Sequence, residues 1–366
     1  MQEQKKNLLG LTQDELEAFF LELGHKKYRA KQLLQWMHQK YVVDFDLMSD
    51  FSKDLRNELN SIASVSLPEI ISETSSIDGT VKWLFNSGVG QAIETVFIPE
   101  SERGTLCISS QVGCALDCSF CATGYQGFNR NLSASEIIAQ VCFANNLLPR
   151  RKNGLPAITN VVFMGMGEPL ANYKNVLKAL RILLSDNAYG LSKRRVTLST
   201  SGIVPNLDSL GDDCNVSLAV SLHAPNDELR DKLVPINKIH PIAELLEACW
   251  AYAEKHSNRY ITFEYVMLRD INDSVLQAIE LAKLLKNKPA KINLIPFNPF
   301  SDCDYQRSSS EQIRLFQAKL RELGVIVTTR KTRGDDIDAA CGQLAGKVSN
   351  KVLVRLSEKK RRAVVL

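Results

Sequence analysis

The stretch Gln111-Val-Gly-Cys114-Ala-Leu-Asp-Cys118-Ser-Phe-Cys121-Ala-Thr-Gly124 sets three thiols in the spacing C-x3-C-x2-C. It follows directly on an apolar run, Thr105–Ser109, that reads as a strand. Three thiolates close together on one loop can each take one iron of a cubane [4Fe–4S] cluster. The fourth iron then lacks a protein ligand and is open to a small chelator. The amino and carboxylate groups of S-adenosylmethionine (SAM) meet that need, and the cluster can pass one electron to its sulfonium. Phe120 suits packing against cluster or adenine. A structural zinc ion asks for four ligands, usually two C-x2-C pairs, and the sequence has no second pair. Cys114, Cys118 and Cys121 are therefore candidate metal ligands.

Outward from this loop the chain alternates short apolar runs with helix-length amphipathic stretches. Further strands are expected at Asn160–Met164, Val196–Thr200, Val216–Ser221, Ile261–Met267 and Ile292–Ile295. Between them Ser135–Asn145, Tyr173–Leu184, Ile242–Glu254 and Ser274–Lys286 read as helices. Six βα units in succession imply an α/β fold whose parallel sheet curls into a partial or full barrel. One more helix, Gln312–Leu323, and a strand, Val325–Thr329, follow.

Before the loop, Thr12 with Glu15 reads as a capping box and Gly24 as a helix stop. A basic helix over Arg29–Gln39 and a short one over Phe51–Leu59 come next. After Pro68 the period changes to two, giving strands at Glu69–Thr74, Thr80–Phe85 and Gln91–Ile98 with an Asp78-Gly79 turn. The expected organisation is residues 1–90 as a small helical unit merging into a hairpin, 91–300 as the barrel, and 301–366 as a C-terminal extension.

The chain has 366 residues, 45% of them hydrophobic and 23% charged, as a globular protein does. No apolar run reaches the ~20 residues of a membrane helix, and the N-terminus lacks the apolar core of a signal peptide. A cytoplasmic protein is expected, in which nine cysteines are metal ligands, reactive groups or apolar fillers. Net charge is only +4, but bases cluster at Lys26–Lys40, Lys193–Arg195 and Lys359–Arg362. Such runs suit a polyphosphate partner or a solvated face.

In parallel barrels the chemistry sits at the carboxyl ends of the strands. There the sequence places Gly165-Met-Gly167-Glu168-Pro169, Ser199-Thr-Ser-Gly202, Ser221-Leu222-His223 and Pro296-Phe-Asn298. Glycines would let backbone approach a ligand, or simply make a tight turn. A ring of polar strand ends is better explained by a bound polar ligand than one such residue would be. Cys107, on the first barrel strand, and Cys341, in Ala339-Ala-Cys341-Gly342, each read equally as inert core thiols or reactive ones. Glu94 interrupts the apolar row of Ala92, Val96 and Ile98. It fits either an edge strand with a partly solvated face or an acid facing a cavity, suited to proton abstraction.

With the cluster loop, Cys107, GMGEP, SLHAP and ACGQLAG in view, the sequence resembles the RlmN family of radical SAM RNA methyltransferases. The likeness runs from Tyr28-Arg-Ala-Lys-Gln32 to Arg333-Gly-Asp-Asp-Ile-Asp-Ala-Ala-Cys341-Gly-Gln-Leu-Ala-Gly346. It implies a partial (β/α)6 TIM-like barrel with an N-terminal RNA-binding accessory domain. It further implies methylation of adenine C2 in 23S rRNA (adenine 2503) and in tRNAs (adenine 37). Two SAM molecules are used per turnover in that family. One methylates Cys341; the other yields a 5′-deoxyadenosyl radical that abstracts hydrogen from the S-methyl group. The carbon radical adds to adenine C2, a base matching Glu94 removes the proton, and Cys107 attacks Cys341 to release product through a transient disulfide. The family's SAM contacts map onto Gly167, Glu168, Ser199, Ser221, Leu222, His223 and Asn298. A one-electron reductant such as flavodoxin and a monomeric state go with this reading.

A radical is needed because adenine C2 is electron-poor and would not accept a polar methyl transfer. The target base must also be turned out of stacked RNA to reach the cluster. The three basic clusters would position that RNA through its phosphates. Three alternatives fit the same residues: a Cfr-type enzyme methylating C8, a radical SAM activase or maturase acting on a protein, and an RNA-binding protein with a structural cluster.

Overall fold

The structure, a computed structural model, describes residues 5–151, 154–257, 259–300 and 303–344. The basic run Lys359–Arg362 and the last two residues of the ACGQLAG motif lie outside the described residues. The N-terminal unit comprises β1 (Lys6–Asn7), α1 (Gln13–Glu22), α2 (Tyr28–His38), α3 (Lys53–Ile62) and β2 (Ala63–Ser64), with β1 and β2 paired in parallel. Its expected capping box is present: Thr12 N donates to Glu15 Oε2 at 3.0 Å, and Glu15 N donates to Thr12 Oγ1 at 3.4 Å. Gly24 ends α1 at φ +78°, a conformation that costs glycine little. On α2 the apolar residues Leu33, Leu34, Trp36 and Met37 are buried, while Lys26, Lys27 and Lys31 stay exposed.

Next come β3 (Ile70–Ser75), β4 (Val81–Asn86), β5 (Ala92–Pro99), β6 (Gly104–Cys107), β7 (Gln111–Gly113), α4 (Ala122–Gln126), β8 (Phe128–Asn131) and α5 (Ala134–Leu147). They are followed by β9 (Asn160–Phe163), α6 (Tyr173–Leu184), β10 (Val196–Thr200), α7 (Val204–Asp213), β11 (Ser217–Ser221), α8 (Asp227–Leu233) and α9 (Ile242–Lys255). The remainder is β12 (Ile261–Met267), α10 (Val275–Leu285), β13 (Ala290–Pro296), α11 (Ser310–Glu322) and β14 (Ile326–Thr329).

One ten-stranded sheet runs in the order β14-β13-β12-β11-β10-β9-β6-β5-β4-β3. From β6 to β14 its seven strands are parallel, and β5, β4 and β3 extend it in antiparallel fashion. The fold is thus α/β, a partial TIM-like barrel, with β3 and β14 as sheet edges. Residues such as Leu106, Val161, Leu198, Val220, Phe263 and Leu294 are fully buried, as strands covered by helices require.

Two features depart from the pattern legible in the sequence. The hairpin strands belong to the barrel sheet, so residue 90 falls in the tight β4–β5 turn, where Ser87 N donates to Gln91 O at 2.9 Å. Helices α7 and α8 and the β7–β8 pair went unanticipated. Pro205 and Gly211 weaken the helical pattern of α7, and α8 (Asp-Glu-Leu-Arg-Asp-Lys-Leu) is short and mostly polar. The N-terminal unit packs on the barrel's outer helices: Lys178 of α6 pairs with Glu15, and Cys142 of α5 donates to Met37 O at 3.6 Å.

Candidate active site at the carboxyl ends of the parallel strands

A cavity of about 160 Å³ opens where the parallel strands end. The loop carrying the three thiols covers one side of it. This loop is spliced between β7 and β8, and Gly113 there has φ +75°. A Cβ at Gly113 would lie 1.8 Å from Gly127 O, so only glycine lets the two strands close the loop. Cys114, Cys118 and Cys121 all line the cavity. Burial pushes the Cys118 thiol well above its ordinary value, and its neighbours Cys114 and Cys121 push it further.

Three thiols of one loop on one cavity are a donor set that suits a cubane cluster. A cubane needs its thiolates spread over three different irons, near one another but aimed at separate points.

Opposite the thiols stands Glu168, 3% exposed, just past β9. Its Oε1 accepts from Leu170 N at 3.0 Å and its Oε2 from Ser201 N at 2.8 Å. Burial raises this carboxyl above the usual range, against the pull of those backbone bonds. A bound ammonium would therefore gain a pre-aimed, partly desolvated acceptor. Gly165 and Gly167 line the cavity, but close packing explains both. A Cβ at Gly165 would meet Ile108 backbone at 2.7 Å, and one at Gly167 would meet Gln111 Cβ at 2.4 Å.

Ser199, Ser221 and His223 also face the cavity, so most of the expected polar ring does assemble. His223 Nδ1 accepts from Val266 N at 3.0 Å, and burial drops its pKa to about 3. The imidazole is then neutral with its proton on Nε2, and it stands edge-to-face on Phe120 at 4.5 Å. Leu222 does not line the cavity; its N–H donates to Glu264 O at 3.1 Å and its carbonyl accepts from Arg230 Nε at 3.2 Å. Asn298 lines a smaller neighbouring pocket, where its Nδ2 donates to Cys341 O at 3.2 Å.

Cys341 lines both spaces, with Arg330 beside it. Burial raises the Cys341 thiol, and the Arg330 guanidinium opposes that rise. Cys107, on β6, is pushed to about 12 by burial and by the neighbouring Cys341, again opposed by Arg330. One cation thus serves two thiols, and Arg330 itself is held protonated chiefly by Cys341. All nine cysteines are free thiols. Glu94 is 7% exposed on an interior strand, which removes the edge-strand reading. It does not line the main cavity, and it pairs with Lys82 Nζ at 3.5 Å.

Sequence reasoning missed Arg330, Glu264 and Arg230. Arg230 is fully buried and donates to the carbonyls of Ser201 at 2.7 Å, Ser221 at 3.1 Å and Leu222, and to Asn237 Oδ1 at 2.8 Å. It therefore ties together the ends of β10 and β11. Of the basic clusters, Lys193–Arg195 precede β10 and sit at the end of the sheet opposite the cavity. No helix among the described residues is long and apolar enough to cross a membrane.

Residues 6–65 match the ribosomal RNA large subunit methyltransferase N-terminal domain, and residues 108–282 match the radical SAM superfamily. The dual-specificity RNA methyltransferase RlmN of Francisella tularensis subsp. novicida is 54% identical, over 96% of this chain and 95% of that protein. A crystal structure of a radical SAM methyltransferase from Sphaerobacter thermophilus superposes with TM-score 0.88 at 44% identity, over 93% of this chain and 100% of that one. The chain belongs to the RlmN family of radical SAM RNA methyltransferases, enzymes that work with a [4Fe–4S] cluster and SAM.

Proposed function

We propose that this enzyme methylates C2 of an adenine in 23S rRNA (adenine 2503) and in tRNAs (adenine 37), with Cys341 as the methyl carrier. Cys114, Cys118 and Cys121 hold the cluster, and Gly167, Glu168, Ser199, Ser221, Leu222, His223 and Asn298 form the SAM site. When bound, the cluster and SAM supply a 5′-deoxyadenosyl radical. Glu168 orients the ammonium of SAM, and neutral His223 offers an Nε2–H donor. Cys341 presents its S-methyl group to the cavity, and Glu94 accepts the proton from adenine C2. Cys107 as thiolate then attacks the Cys341 sulfur: a transient disulfide forms, the sulfur–carbon bond breaks, and its electron pair stays on the methylene carbon, which takes up a proton to become the methyl group. The observation that carries this reading is the position of Cys341: it lines the same cavity as the three loop thiols while sharing Arg330 with Cys107.

The N-terminal unit docks the RNA through the exposed Lys26 and Lys27, just before α2, and Lys31 on it. The enzyme works as a monomer in the cytoplasm with a one-electron reductant such as flavodoxin. The deciding experiment incubates the reconstituted protein with an rRNA fragment and a tRNA, then resolves the nucleosides by mass spectrometry against standards. 2-Methyladenosine is expected; 8-methyladenosine would mean the C8 chemistry of Cfr-type enzymes.

A further inference from the structure

The segment from Arg330 to Leu344 carries Cys341 yet contains only one short 3-10 turn, Asp335–Ile337. An irregular segment of this length needs external support to hold one sulfur in place, since ordering each residue costs conformational entropy. That support is visible at the β3–β4 turn. Asp336 Oδ1 accepts from Ser76 Oγ at 2.6 Å, and its Oδ2 accepts from Ile77 N at 3.3 Å. In return, Asp78 Oδ2 accepts from Gly334 N at 3.2 Å and faces Arg333 Nη1 at 3.7 Å. Lys82 Nζ donates to Asp338 O at 3.1 Å.

The fit allows no slack. Gly334 has φ +62°, and a Cβ on it would lie 2.9 Å from Ala339 Cβ and 3.0 Å from Thr80 Cγ2. Asp338, also left-handed at φ +50°, turns the chain toward Cys341. The far side of the same segment is pinned by Asn298 to Cys341 O and by Ala122 N to Gly342 O at 2.8 Å. The Arg333-Gly-Asp-Asp run thus has a structural use: Arg333, Gly334 and Asp336 bind the hairpin turn, and Asp335 pairs with Arg307 at 3.6 Å.

We infer that Asp78 and Asp336 are positioning residues for Cys341. The hairpin turn is a rigid cradle that fixes the sulfur between its two targets, the cavity and Cys107. Lys82 carries the same cradle to Glu94, so carrier and proton acceptor are registered on one hairpin. The inference rests on the reading of Cys341 as methyl carrier. Misplacing a reacting atom by about 1 Å costs on the order of a hundredfold in rate, while radical generation at the cluster is left intact. Loosening the cradle should therefore uncouple SAM cleavage from methyl transfer.

The test uses the full chain, anaerobically reconstituted, as wild type and as Asp78→Asn/Asp336→Asn. Three quantities are read: Cys341 methylation by peptide mass spectrometry, amide hydrogen exchange over 334–341, and 5′-deoxyadenosine released per methylated adenine. Expected for the variant is full iron content, exchange faster by about tenfold, and a several-fold higher ratio of 5′-deoxyadenosine to product. Unchanged exchange, or faster exchange with an unchanged ratio, would overturn the inference, the latter leaving the clamp a purely structural contact. A wild-type Cys341 found without methyl would instead remove the carrier reading beneath it. Should the double variant fail to fold, Ser76→Ala deletes only the 2.6 Å bond to Asp336 and is read in the same way.

Discussion

Asp78 and Asp336 each accept a backbone hydrogen bond from the other's turn: Asp336 from Ile77 N at 3.3 Å, and Asp78 from Gly334 N at 3.2 Å. The two contacts join the barrel's antiparallel extension to the segment bearing Cys341. They convert a β-turn, ordinarily a mere connection, into part of the site's support.

This pair titrates with a defined sign. Burial pushes the Asp78 carboxyl up, but hydrogen bonds from Thr80, Gly334 and Ser76 outweigh it and bring the pKa from 3.8 to about 2. A depressed folded-state pKa contributes stability above the unfolded value that is lost as pH falls through the folded one. Stability followed by thermal melts should fall between about pH 4 and pH 2, and Asp78→Asn should flatten that fall. An acid limb identical in both proteins would show that the carboxylate contributes nothing there.

Arg230 predicts a stability effect with a structural signature. Arg230→Met leaves the carbonyls of Ser201, Ser221 and Leu222 without this donor. An unsatisfied buried acceptor costs about 1–3 kcal/mol, so a loss of roughly 3 kcal/mol or more in urea denaturation is expected. Arg230→Lys should recover only part of it, because a single ammonium does not span the acceptors that the planar fork reaches. Full recovery by lysine would mean that charge alone matters at this position.

Much of the fold was legible because its strands are apolar runs of the right length between amphipathic helices. Val196–Thr200 and Ile261–Met267 are found at their expected limits. The cluster loop was legible because thiol spacing is local. Contacts distant in sequence were not. Asp78-Gly79 announces a turn, but nothing local says that its partner Asp336 lies 260 residues from Ser76. Arg230 was hidden in a charged heptapeptide that looks like a solvated helix face. For Glu94 the alternation correctly marked the carboxylate as out of place, while strand order, which sequence does not carry, decided that it lies on an interior strand.

For the cluster, Cys118→Ala is the sharpest probe, since this thiol is influenced by both of its partners. The reconstituted wild type should bind about four irons, the content of one cubane. The variant should lose the cluster and with it all reductive cleavage of SAM. Continued 5′-deoxyadenosine formation would overturn the assignment of the three ligands.

For RNA docking, the exposed residues Lys26, Lys27 and Lys31 are the testable set. Reversing all three to Glu should weaken RNA binding and shallow its dependence on salt, because fewer counterions are released. SAM cleavage in the absence of RNA should persist. An unchanged affinity across a salt series would reduce this basic stretch to a solvated face; the ion pair of Lys27 with Glu17 at 3.9 Å is too exposed to matter.

The last prediction separates the two thiols that share Arg330. Cys341→Ala removes the carrier, so no methyl group is present from which a carbon radical could form, and no RNA adduct should appear. Cys107→Ala removes only the resolving thiol. Its Cys341 should still be methylated and should still join to adenine, then stall with RNA linked to the protein through a methylene bridge. The asymmetry follows from covalent catalysis, in which loss of the carrier prevents the bond and loss of the resolving group traps it. Arg330 sharpens the comparison, because a guanidinium serving both thiols favours thiolate at whichever sulfur must act, and Arg330→Met should slow both steps. A denaturant-resistant gel shift with Cys107→Ala, absent with Cys341→Ala, supports the assigned order. Free turnover by the Cys107 variant, or identical behaviour of the two, would mean that product leaves without a Cys107–Cys341 disulfide.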